Sequence, residues 1–347
     1  MKRILLAAFL LLPAMLCGCN STDLPDSQDG EYDSKQESTS SEDKSESVPG
    51  SQSGESEPEV IPIPSGEIIL KKDELFTVSS DNELVIADGE TLFADGKILC
   101  QSGGRIVIES GGSLLLNGEI DLGGELIING FLGLSDSASV YGEGQVYLKS
   151  FDDIDCRGRF TAAIVPPERV VENGVTTIGG VVIVNKKITL SPEFGNGLDS
   201  GAAEALERMR QDSGFSMEII SGFRDYYLQK RVFEGWCNRD GIEAAETYSA
   251  RPGHSEHQTG FTVDITQIDS DYADTPEGRW VAENSYKYGF IVRYPLGKHL
   301  ITGYIYEPWH LRYLGESTAR LVHDSGLTLE EFLGVEGGDY SDSYEFS

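Results

Sequence analysis

The sequence predicts a multidomain chain, in which a small all-β domain resembling a β-solenoid is followed by a domain of mixed α and β structure. Two observations predict this division. From Ser113 onwards the chain repeats a six-residue unit of strand and turn. After Pro166–Pro167 the composition changes to aromatic residues, helical stretches and all five histidines. A length of 347 residues allows roughly two domains.

The first 18 residues have the features of a secretory signal peptide. A basic start at residues 1–3 precedes the apolar run Ile4–Leu12, which is too short for the ~20 residues that span a bilayer. The run ends in LCGC at residues 16–19, which resembles the lipobox of bacterial lipoproteins. In that family the peptide is cut before the last Cys, whose thiol receives a diacylglycerol. The resemblance implies a signal peptide at residues 1–18, lipidation at Cys19 and an extracytoplasmic, membrane-anchored protein; an ordinary secretory signal is the alternative.

Two acidic segments are predicted to be disordered. Residues 19–60, which begin with the lipidated Cys, are rich in serine and acidic residues, and residues 336–347 form a second, shorter acidic tail. Low hydrophobicity and high like charge keep such segments solvated. The whole chain has 58 acidic and 27 basic residues, a net charge of −31. This excess argues against nucleic acid as a partner, because binding to a polyanion requires clustered Lys and Arg.

Residues 61–165 are predicted to form the solenoid-like domain. Gly or Asn-Gly follows most of the predicted strands, as expected for tight turns. A fixed short period of strand and turn predicts stacked coils that share one core, with a meander of hairpins as the alternative. The segment has no His and no convergent acids, which favours a spacer or a binding module of unknown partner. The second and fourth places of the first five units are apolar, and these are Leu114, Leu116, Ile120, Leu122, Leu126, Ile128, Leu132, Leu134, Ala138 and Val140.

The second domain, residues 166–335, contains both helical and extended patterns. Ala202–Met209 has helical spacing, Met217–Ile220 is an apolar strand, and Tyr227–Trp236 is again helical. Three polar clusters accompany them. They are Ser221–Arg224 with Gln229, then Ser255–Asp264, and finally Tyr306–His310.

The last two clusters contain the residue types of a catalytic metal site. His257 and Asp264 lie seven residues apart, and alternation places Asp264 on the polar face of a strand. His310 ends another alternating run, and Glu307 precedes it by three residues. Two His and one carboxylate form a catalytic zinc set with one place left for water, and a free Glu beside them suits a general base. From the residues alone, ordinary surface or core histidines are an equally good interpretation.

The clusters resemble the VanY-type D-alanyl-D-alanine carboxypeptidases, zinc peptidases of bacterial cell-wall metabolism with the patterns S-x-H-x-x-G-x-A-x-D and E-P-W-H. Here the patterns read Ser255–Asp264 and Glu307–His310, with Thr262 in the place of the usual Ala. The match extends from about Val184 to Glu331. The resemblance implies a small α+β fold around an antiparallel sheet.

The resemblance also implies the roles of individual residues. One zinc ion per catalytic domain would be held by His257, Asp264 and His310, and Glu307 would be the catalytic base. Arg224 would stabilise the oxyanion or hold the terminal carboxylate of the substrate. The residues expected by analogy to line the substrate pocket are Gln229 and Ser255.

The implied reaction is hydrolysis of the terminal D-Ala–D-Ala bond of peptidoglycan stem peptides at the cell surface. An L,D-carboxypeptidase that trims tetrapeptide stems is the alternative within this class, and a non-catalytic cell-wall-binding surface lipoprotein is the alternative outside it. Because the solenoid lacks catalytic groups, a fragment starting near Val170 is expected to fold and cleave soluble peptides. Free thiols are expected at Cys100, Cys156 and Cys237, with a Cys100–Cys156 disulfide as the alternative.

Overall fold

The computed structural model describes residues 59–62 and 67–346 of the chain. The predicted signal peptide, the lipidation site at Cys19 and nearly all of the predicted tether lie outside the described residues. Within the described ranges, no helix is both long enough and apolar enough to cross a bilayer.

A parallel β-solenoid occupies the first half, as predicted. Its strands pair only with strands one turn earlier or later, so that Leu126 lies between Ile106 and Val146 in register. This parallel pairing rules out the alternative of antiparallel hairpins. The strands are β1 (Glu59–Pro62), β2 (Glu67–Leu70), β3 (Leu75–Val78), β4 (Asn82–Ile86), β5 (Thr91–Ala94), β6 (Lys97–Cys100), β7 (Arg105–Ile108), β8 (Ser113–Leu116), β9 (Glu119–Leu122), β10 (Glu125–Ile128), β11 (Phe131–Leu134), β12 (Ser139–Tyr141), β13 (Gln145–Leu148), β14 (Ile154–Cys156), β15 (Arg159–Phe160) and β16 (Ala163–Val165).

The solenoid has three faces because each turn contributes one strand to each of three sheets. The strand orders are β1-β4-β7-β10-β13-β16, β14-β11-β8-β5-β2 and β15-β12-β9-β6-β3. The apolar places of the repeat point inward and are buried, including Val146 and Leu148 beyond the irregular unit. Some corners require glycine because backbones stack there: a Cβ on Gly124 would lie 2.0 Å from the carbonyl oxygen of Gly104.

The second half folds as a mixed α+β domain, again as predicted. Its antiparallel sheet has the strand order β20-β21-β23-β22, and a small antiparallel sheet of β17, β18 and β19 connects it to the solenoid. The strands are β17 (Arg169–Glu172), β18 (Val175–Ile178), β19 (Val181–Ile183), β20 (Ile219–Ser221), β21 (Thr262–Ile265), β22 (Phe290–Tyr294) and β23 (Glu307–Tyr313). The helices are α1 (Ser200–Ser213), α2 (Tyr226–Asp240), α3 (Ile242–Ala245), α4 (Pro276–Asn284), α5 (His299–Thr302), α6 (Glu316–Ser325) and α7 (Leu329–Leu333).

Helices α6 and α7 cover the last turn of the solenoid. The backbone N–H of Cys156 donates to Ser317 Oγ at 3.0 Å, and that of Phe160 donates to Asp324 Oδ2 at 2.8 Å. These side chains satisfy strand edges that would otherwise be exposed. Phe151 stacks on Phe332 with ring centroids 5.2 Å apart. The buried apolar residues of α6, α7 and the solenoid form one continuous cluster, so the two halves share a core.

The shared core changes the expectation for a fragment that starts near Val170. Such a fragment would expose the faces of α6 and α7 that contact the solenoid, at a cost of about 1.5–3 kcal/mol for each large apolar side chain. We therefore expect its free energy of unfolding, measured with urea, to be well below that of the solenoid-containing protein. Phe332→Ala in the longer protein should also destabilise, by about 3–5 kcal/mol, whereas Phe131→Ala on the exposed outer face should not. Equal unfolding midpoints for fragment and longer protein would contradict this expectation.

The C-terminal segment differs from the predicted disordered tail. Asp339 and Asp342 form ion pairs with Lys186 and Arg251, and Tyr344 packs against Phe233. The acidic side chains are neutralised by basic partners from other parts of the domain, which composition alone does not reveal. The predicted free thiols are confirmed, because Cys100, Cys156 and Cys237 are all buried and unbridged.

Candidate active site

Two neighbouring strands and one short turn bring the predicted metal ligands together. Asp264 on β21 lies directly opposite His310 on β23 in the antiparallel register. His257 lies in a 3-10 turn, Glu256–Thr259, just before β21. This turn ends at Gly260 with a φ of 79°, where a Cβ would lie 2.3 Å from the carbonyl oxygen of Gly197. His310 lies inside β23, which begins at Glu307. The sequence had suggested instead that His310 follows the end of an alternating run.

The three side chains form a compact, buried group. His257 Nε2 lies 3.1 Å from Asp264 Oδ2, and His310 Nδ1 lies 2.9 Å from Asp264 Oδ1. One candidate ligand atom from each residue lies within 4.8 Å of the others. The two imidazole rings are nearly perpendicular, with centroids 5.1 Å apart.

The electrostatics of this group fit a divalent cation. Among the described residues, the buried Asp264 Oδ1 has no hydrogen-bond partner of good geometry. Burial and the nearby Arg224 lower the pKa of His257 to about 4, so its imidazole is neutral, as a metal ligand must be. Burial alone would lower the pKa of His310, but the carboxylates of Asp264 and Glu256 raise it to about 9. That surplus of negative charge is what a divalent cation would neutralise.

The ring nitrogen that faces away from the group is hydrogen-bonded in His257 and faces a more distant carboxylate in His310. His257 Nδ1 lies 2.7 Å from the carbonyl oxygen of Gly222, an acceptor that fixes this nitrogen as the protonated one. His310 Nε2 faces Glu256 Oε2 at 3.7 Å. Partners of this kind orient metal-binding imidazoles and leave the other nitrogen free for the metal. His257 thus presents Nε2 to the site, and His310 presents Nδ1.

Glu256 was missed by sequence analysis as part of the site. It is buried, and its Oε1 accepts from Arg293 Nε at 2.8 Å and from Arg312 Nη1 at 2.9 Å. Burial would raise the pKa of Glu256, but the two guanidinium groups hold it well below its usual range. Arg293 also donates to Glu330 Oε2 at 2.8 Å, which completes a buried cluster of two acids and two bases. The only sequence signal was the position of Glu256 next to His257.

Glu307 lies beside the candidate metal group, by which we mean His257, Asp264 and His310. Its Oε2 lies 3.5 Å from His310 Nδ1, and its side chain is almost fully buried. Burial raises the pKa of Glu307 to about 8, although His310 opposes this rise. A carboxyl group with a pKa near neutrality can both accept and release a proton, as a general base that later acts as an acid must do.

Arg224 lies beside Asp264, two residues before the start of α2. Its Nη1 lies 3.7 Å from Asp264 Oδ2 and also donates to Ser221 Oγ. Its Nε donates to Gln229 Oε1 at 2.8 Å. These contacts leave part of the guanidinium facing the cleft, with its direction fixed by Ser221 and Gln229.

The two predicted substrate-binding residues have different positions. Ser255 lines the cleft beside His257. Gln229 is fully buried behind Arg224, and its Nε2 donates to the carbonyl oxygen of Ala250 at 2.6 Å. The structure therefore differs from the prediction that Gln229 lines the pocket, because both ends of its amide are engaged within the protein.

These groups line a cleft of about 470 Å³. Six Tyr and Trp side chains line it, and it extends from His257, Asp264 and His310 to the end of α2 and to the loop between α5 and β23. The aromatic residues are Trp236, Tyr248, Tyr294, Tyr304, Tyr306 and Trp309. The remaining histidines, His254, His299 and His323, are not part of the candidate metal group, as predicted.

Comparison with known proteins gives a family for this domain. The family model described as "VanY: D-alanyl-D-alanine carboxypeptidase" matches residues 195–316, which include all of the candidate site residues between Ser221 and His310.

Similar proteins come from enterococci and streptococci. The chain is 33% identical over 145 residues to the bifunctional D-Ala-D-Ala dipeptidase and D-Ala-D-Ala carboxypeptidase VanXYC of Enterococcus gallinarum, covering 39% of this chain and 76% of that protein. It is 32% identical over 157 residues to a D-alanyl-D-alanine carboxypeptidase of Enterococcus faecium, covering 45% and 48%. A solved structure of an L,D-carboxypeptidase, DacB, from Streptococcus pneumoniae is 39% identical, with 50% of this chain and 98% of that chain covered and a TM-score of 0.46. The chain spans about half the length of three of the curated relatives that it matches.

Proposed function

This chain belongs to the VanY family of D-alanyl-D-alanine carboxypeptidases, and we propose that it uses zinc to hydrolyse the last peptide bond of peptidoglycan stem peptides. The observation that most supports this proposal is the buried group of His257, Asp264 and His310, with Glu307 and Arg224 in the same cleft. A metal group beside a general base and a guanidinium is a suitable arrangement for cutting next to a free carboxylate.

His257, Asp264 and His310 would hold the zinc ion, the two histidines through the ring nitrogens that their other partners leave free. Zinc, when bound, supplies a Lewis acid that polarises the scissile carbonyl and lowers the pKa of water. The carbonyl oxygen of Gly222 orients the His257 ring through a hydrogen bond, and the carboxylate of Glu256 faces the far nitrogen of His310 at 3.7 Å.

Glu307 would carry the proton during hydrolysis. Its carboxylate accepts a proton as water attacks the peptide carbonyl carbon. The same proton then passes to the leaving amine as the C–N bond breaks, so that a carboxylate and a free amino acid are the products. The position of Glu307 beside His310 suits both steps, because one carboxylate can take the proton from water and deliver it to the amine.

Arg224→Ala should remove the preference for substrates with a free terminal carboxylate. A guanidinium pairs with a carboxylate through two parallel hydrogen bonds, and hydrogen bonds to charged groups contribute about 1.5–3 kcal/mol. Wild type should therefore have a kcat/KM about 10- to 100-fold higher for a peptide acid than for the corresponding amide. In Arg224→Ala the two substrates should differ much less. Steady-state kinetics on the matched pair of peptides measures this.

Arg231→Ala is the matched control, since Arg231 is an exposed residue of α2, the helix that follows Arg224, and should leave the preference unchanged. Equal cleavage of acid and amide by wild type would indicate an endopeptidase. Arg224 would then act on the oxyanion alone.

Specificity for D,D or L,D bonds is tested by incubating the purified protein with a pentapeptide and a tetrapeptide stem. Mass spectrometry identifies which peptide loses one alanine. We propose the D,D activity, for which the pentapeptide is shortened and the tetrapeptide is left intact. Loss of alanine from the tetrapeptide alone would support the L,D alternative, and cleavage of neither would overturn the proposed function.

We further propose that the protein is anchored at the outer side of a membrane by a lipid on Cys19. The LCGC sequence at residues 16–19 supports this proposal. Cys19→Ala should abolish incorporation of radiolabelled fatty acid and yield a soluble or uncleaved protein, because no other thiol stands at the cleavage position. Cys17→Ala is the matched control and should keep the label. Undiminished labelling of Cys19→Ala would exclude the anchor.

A further inference from the structure

Residues 338–344, which we call the strap, lie along the catalytic domain near its C-terminal end. The strap lies outside the part of the chain that the family model matches. At one end, the backbone N–H of Gly338 donates to the carbonyl oxygen of Ile301 at 2.6 Å. At the other end, the Tyr344 hydroxyl donates to Glu234 Oε1 at 3.1 Å, and its ring packs edge-on against Phe233. The strap therefore connects the region before β23 to helix α2.

Between these ends the strap is bound to the buried basic residue Lys186. Lys186 Nζ donates to Asp339 Oδ1 at 3.0 Å, and the side chain of Lys186 is only 1% exposed. The same ammonium group lies 5.2 Å from the ring centroid of Tyr340 and 4.8 Å from that of Tyr304. Tyr304 is one of the residues that line the catalytic cleft. One wall of the cleft and the strap thus share this buried cation.

Arg251 is the residue that the strap holds through the most contacts. Its Nη1 donates to Asp342 Oδ1 at 2.9 Å, and its Nη2 donates to the carbonyl oxygen of Asp342 at 2.8 Å. Its guanidinium lies 3.8 Å from the centroid of the Tyr340 ring. Its backbone N–H donates to the Tyr340 hydroxyl at 2.9 Å. The strap therefore contacts both the side chain and the peptide group of Arg251. The guanidinium is also held from outside the strap, because its Nε and Nη2 donate to Glu246 Oε1 at 2.8 and 2.6 Å.

The peptide group between Ala250 and Arg251 is connected to Arg224 through hydrogen bonds of Gln229. The N–H of Arg251 and the carbonyl of Ala250 belong to one planar peptide unit, so rotating one of them moves the other. The carbonyl oxygen accepts from Gln229 Nε2 at 2.6 Å, and Gln229 Oε1 accepts from Arg224 Nε at 2.8 Å. Three consecutive hydrogen bonds thus connect the hydroxyl of Tyr340 to the guanidinium of Arg224. Ala250 also lines the cleft itself.

We infer that Tyr340 and Asp342 are positioning residues for Arg224, and that the strap sets the preference of the enzyme for a free terminal carboxylate. The inference rests on the proposed function, in which Arg224 holds that carboxylate. Tyr340 fixes the tilt of the Ala250–Arg251 peptide unit, and Asp342 shares with Glu246 the restraint of the Arg251 side chain. Gln229 transmits this orientation to Arg224. A guanidinium that is free to tilt loses the parallel geometry that a bidentate carboxylate contact requires.

The test uses the whole chain and two substitutions in the strap, Tyr340→Phe and Asp342→Asn. Tyr340→Phe keeps the ring on Arg251 but removes the acceptor of its N–H. Glu345→Gln is the matched control for Asp342→Asn, because it removes one negative charge at an exposed residue just beyond the strap. Steady-state kinetics on a peptide acid and its amide give kcat and KM for each substrate, and elemental analysis gives the zinc content. Thermal unfolding shows whether each variant is folded.

We expect the acid-to-amide ratio of kcat/KM to fall about tenfold in Tyr340→Phe, since misplacing a binding group by about 1 Å can cost up to ~10²-fold. The fall should come from a higher KM for the acid, with cleavage of the amide and zinc content unchanged. Asp342→Asn should lower the ratio in the same direction, and Glu345→Gln should leave it unaltered. A merely structural role would reduce the amount of folded protein without changing this ratio.

Two outcomes would overturn the inference and are distinguishable from each other. If wild type prefers the acid and both strap variants keep that preference undiminished, the strap has no positioning role and the proposed function stands. If wild type does not distinguish acid from amide, the carboxylate contact of Arg224 is wrong, and the role of the strap is wrong with it.

Discussion

Glu307→Gln is expected to lower kcat by about 10²- to 10⁴-fold while the zinc content stays near one per catalytic domain. General base catalysis contributes a factor of this size, and an amide of the same shape cannot accept the proton of the attacking water. Glu307 lies beside His310 without belonging to the three-residue metal group, so its substitution should leave the metal bound. The substrate should also still bind, because the amide can form hydrogen bonds where the carboxyl group did. Elemental analysis and steady-state kinetics on the same preparation measure both quantities.

The control for this experiment is Glu283→Gln, which removes an exposed carboxylate in the same domain and should change neither quantity. Loss of zinc from Glu307→Gln would make Glu307 a metal ligand, and another group would have to be the base. Retention of both zinc and near-normal turnover would exclude it from the mechanism.

His310→Ala should instead abolish zinc binding and activity together. Loss of an outer partner of a metal ligand typically costs 10- to 100-fold in metal affinity, so removal of a ligand itself should cost at least about a hundredfold. Removing His310 also takes away the imidazole that lies between the buried carboxylates of Asp264 and Glu256. Competition with a chelator of known affinity measures zinc binding independently of turnover. Asp264→Ala and His257→Ala should behave in the same way.

His299→Ala serves as the comparison, because His299 is exposed and lies outside the metal group. A His310→Ala protein with unchanged zinc affinity would show that the metal lies elsewhere or that another residue completes the site.

Much of the fold followed from short-range patterns. The apolar places of the six-residue unit point into the solenoid, because alternation alone decides which face of a strand is buried. The strand at Met217–Ile220 and the helices at Ala202–Met209 and Tyr227–Trp236, which were predicted from helical spacing, are also present, with bounds that differ by a few residues. The metal group was suggested by His257, Asp264 and His310 and by the family resemblance.

Contacts between elements that are distant in the chain could not be predicted from the sequence. Periodicity shows that a face is buried but not what covers it, so neither the contact between Phe151 and Phe332 nor the covering of the solenoid by α6 was foreseen. The same limit applies to charge. The acidic C-terminal segment has a composition typical of disorder, yet its acids meet Lys186 and Arg251, which lie far away in the chain.

The partners of the site residues were missed for a related reason. Glu256 was visible next to His257, but its contact with His310 depends on the register of β21 and β23. Gln229 was grouped with the substrate residues because it follows Arg224 by five positions. Its burial between Arg224 and Ala250 could only be seen once α2 and the loop after α3 had been placed together.

Zinc dependence of the hydrolysis is the central claim, and restoring metal to stripped protein tests it most directly. The protein is depleted with a chelator, shown by elemental analysis to lack metal, and assayed for release of alanine from a stem peptide before and after addition of zinc. We predict negligible release from the depleted protein and recovery that saturates at one zinc per catalytic domain, with no recovery in His310→Ala. Full activity of the depleted protein, or recovery in His310→Ala equal to that of wild type, would contradict the account.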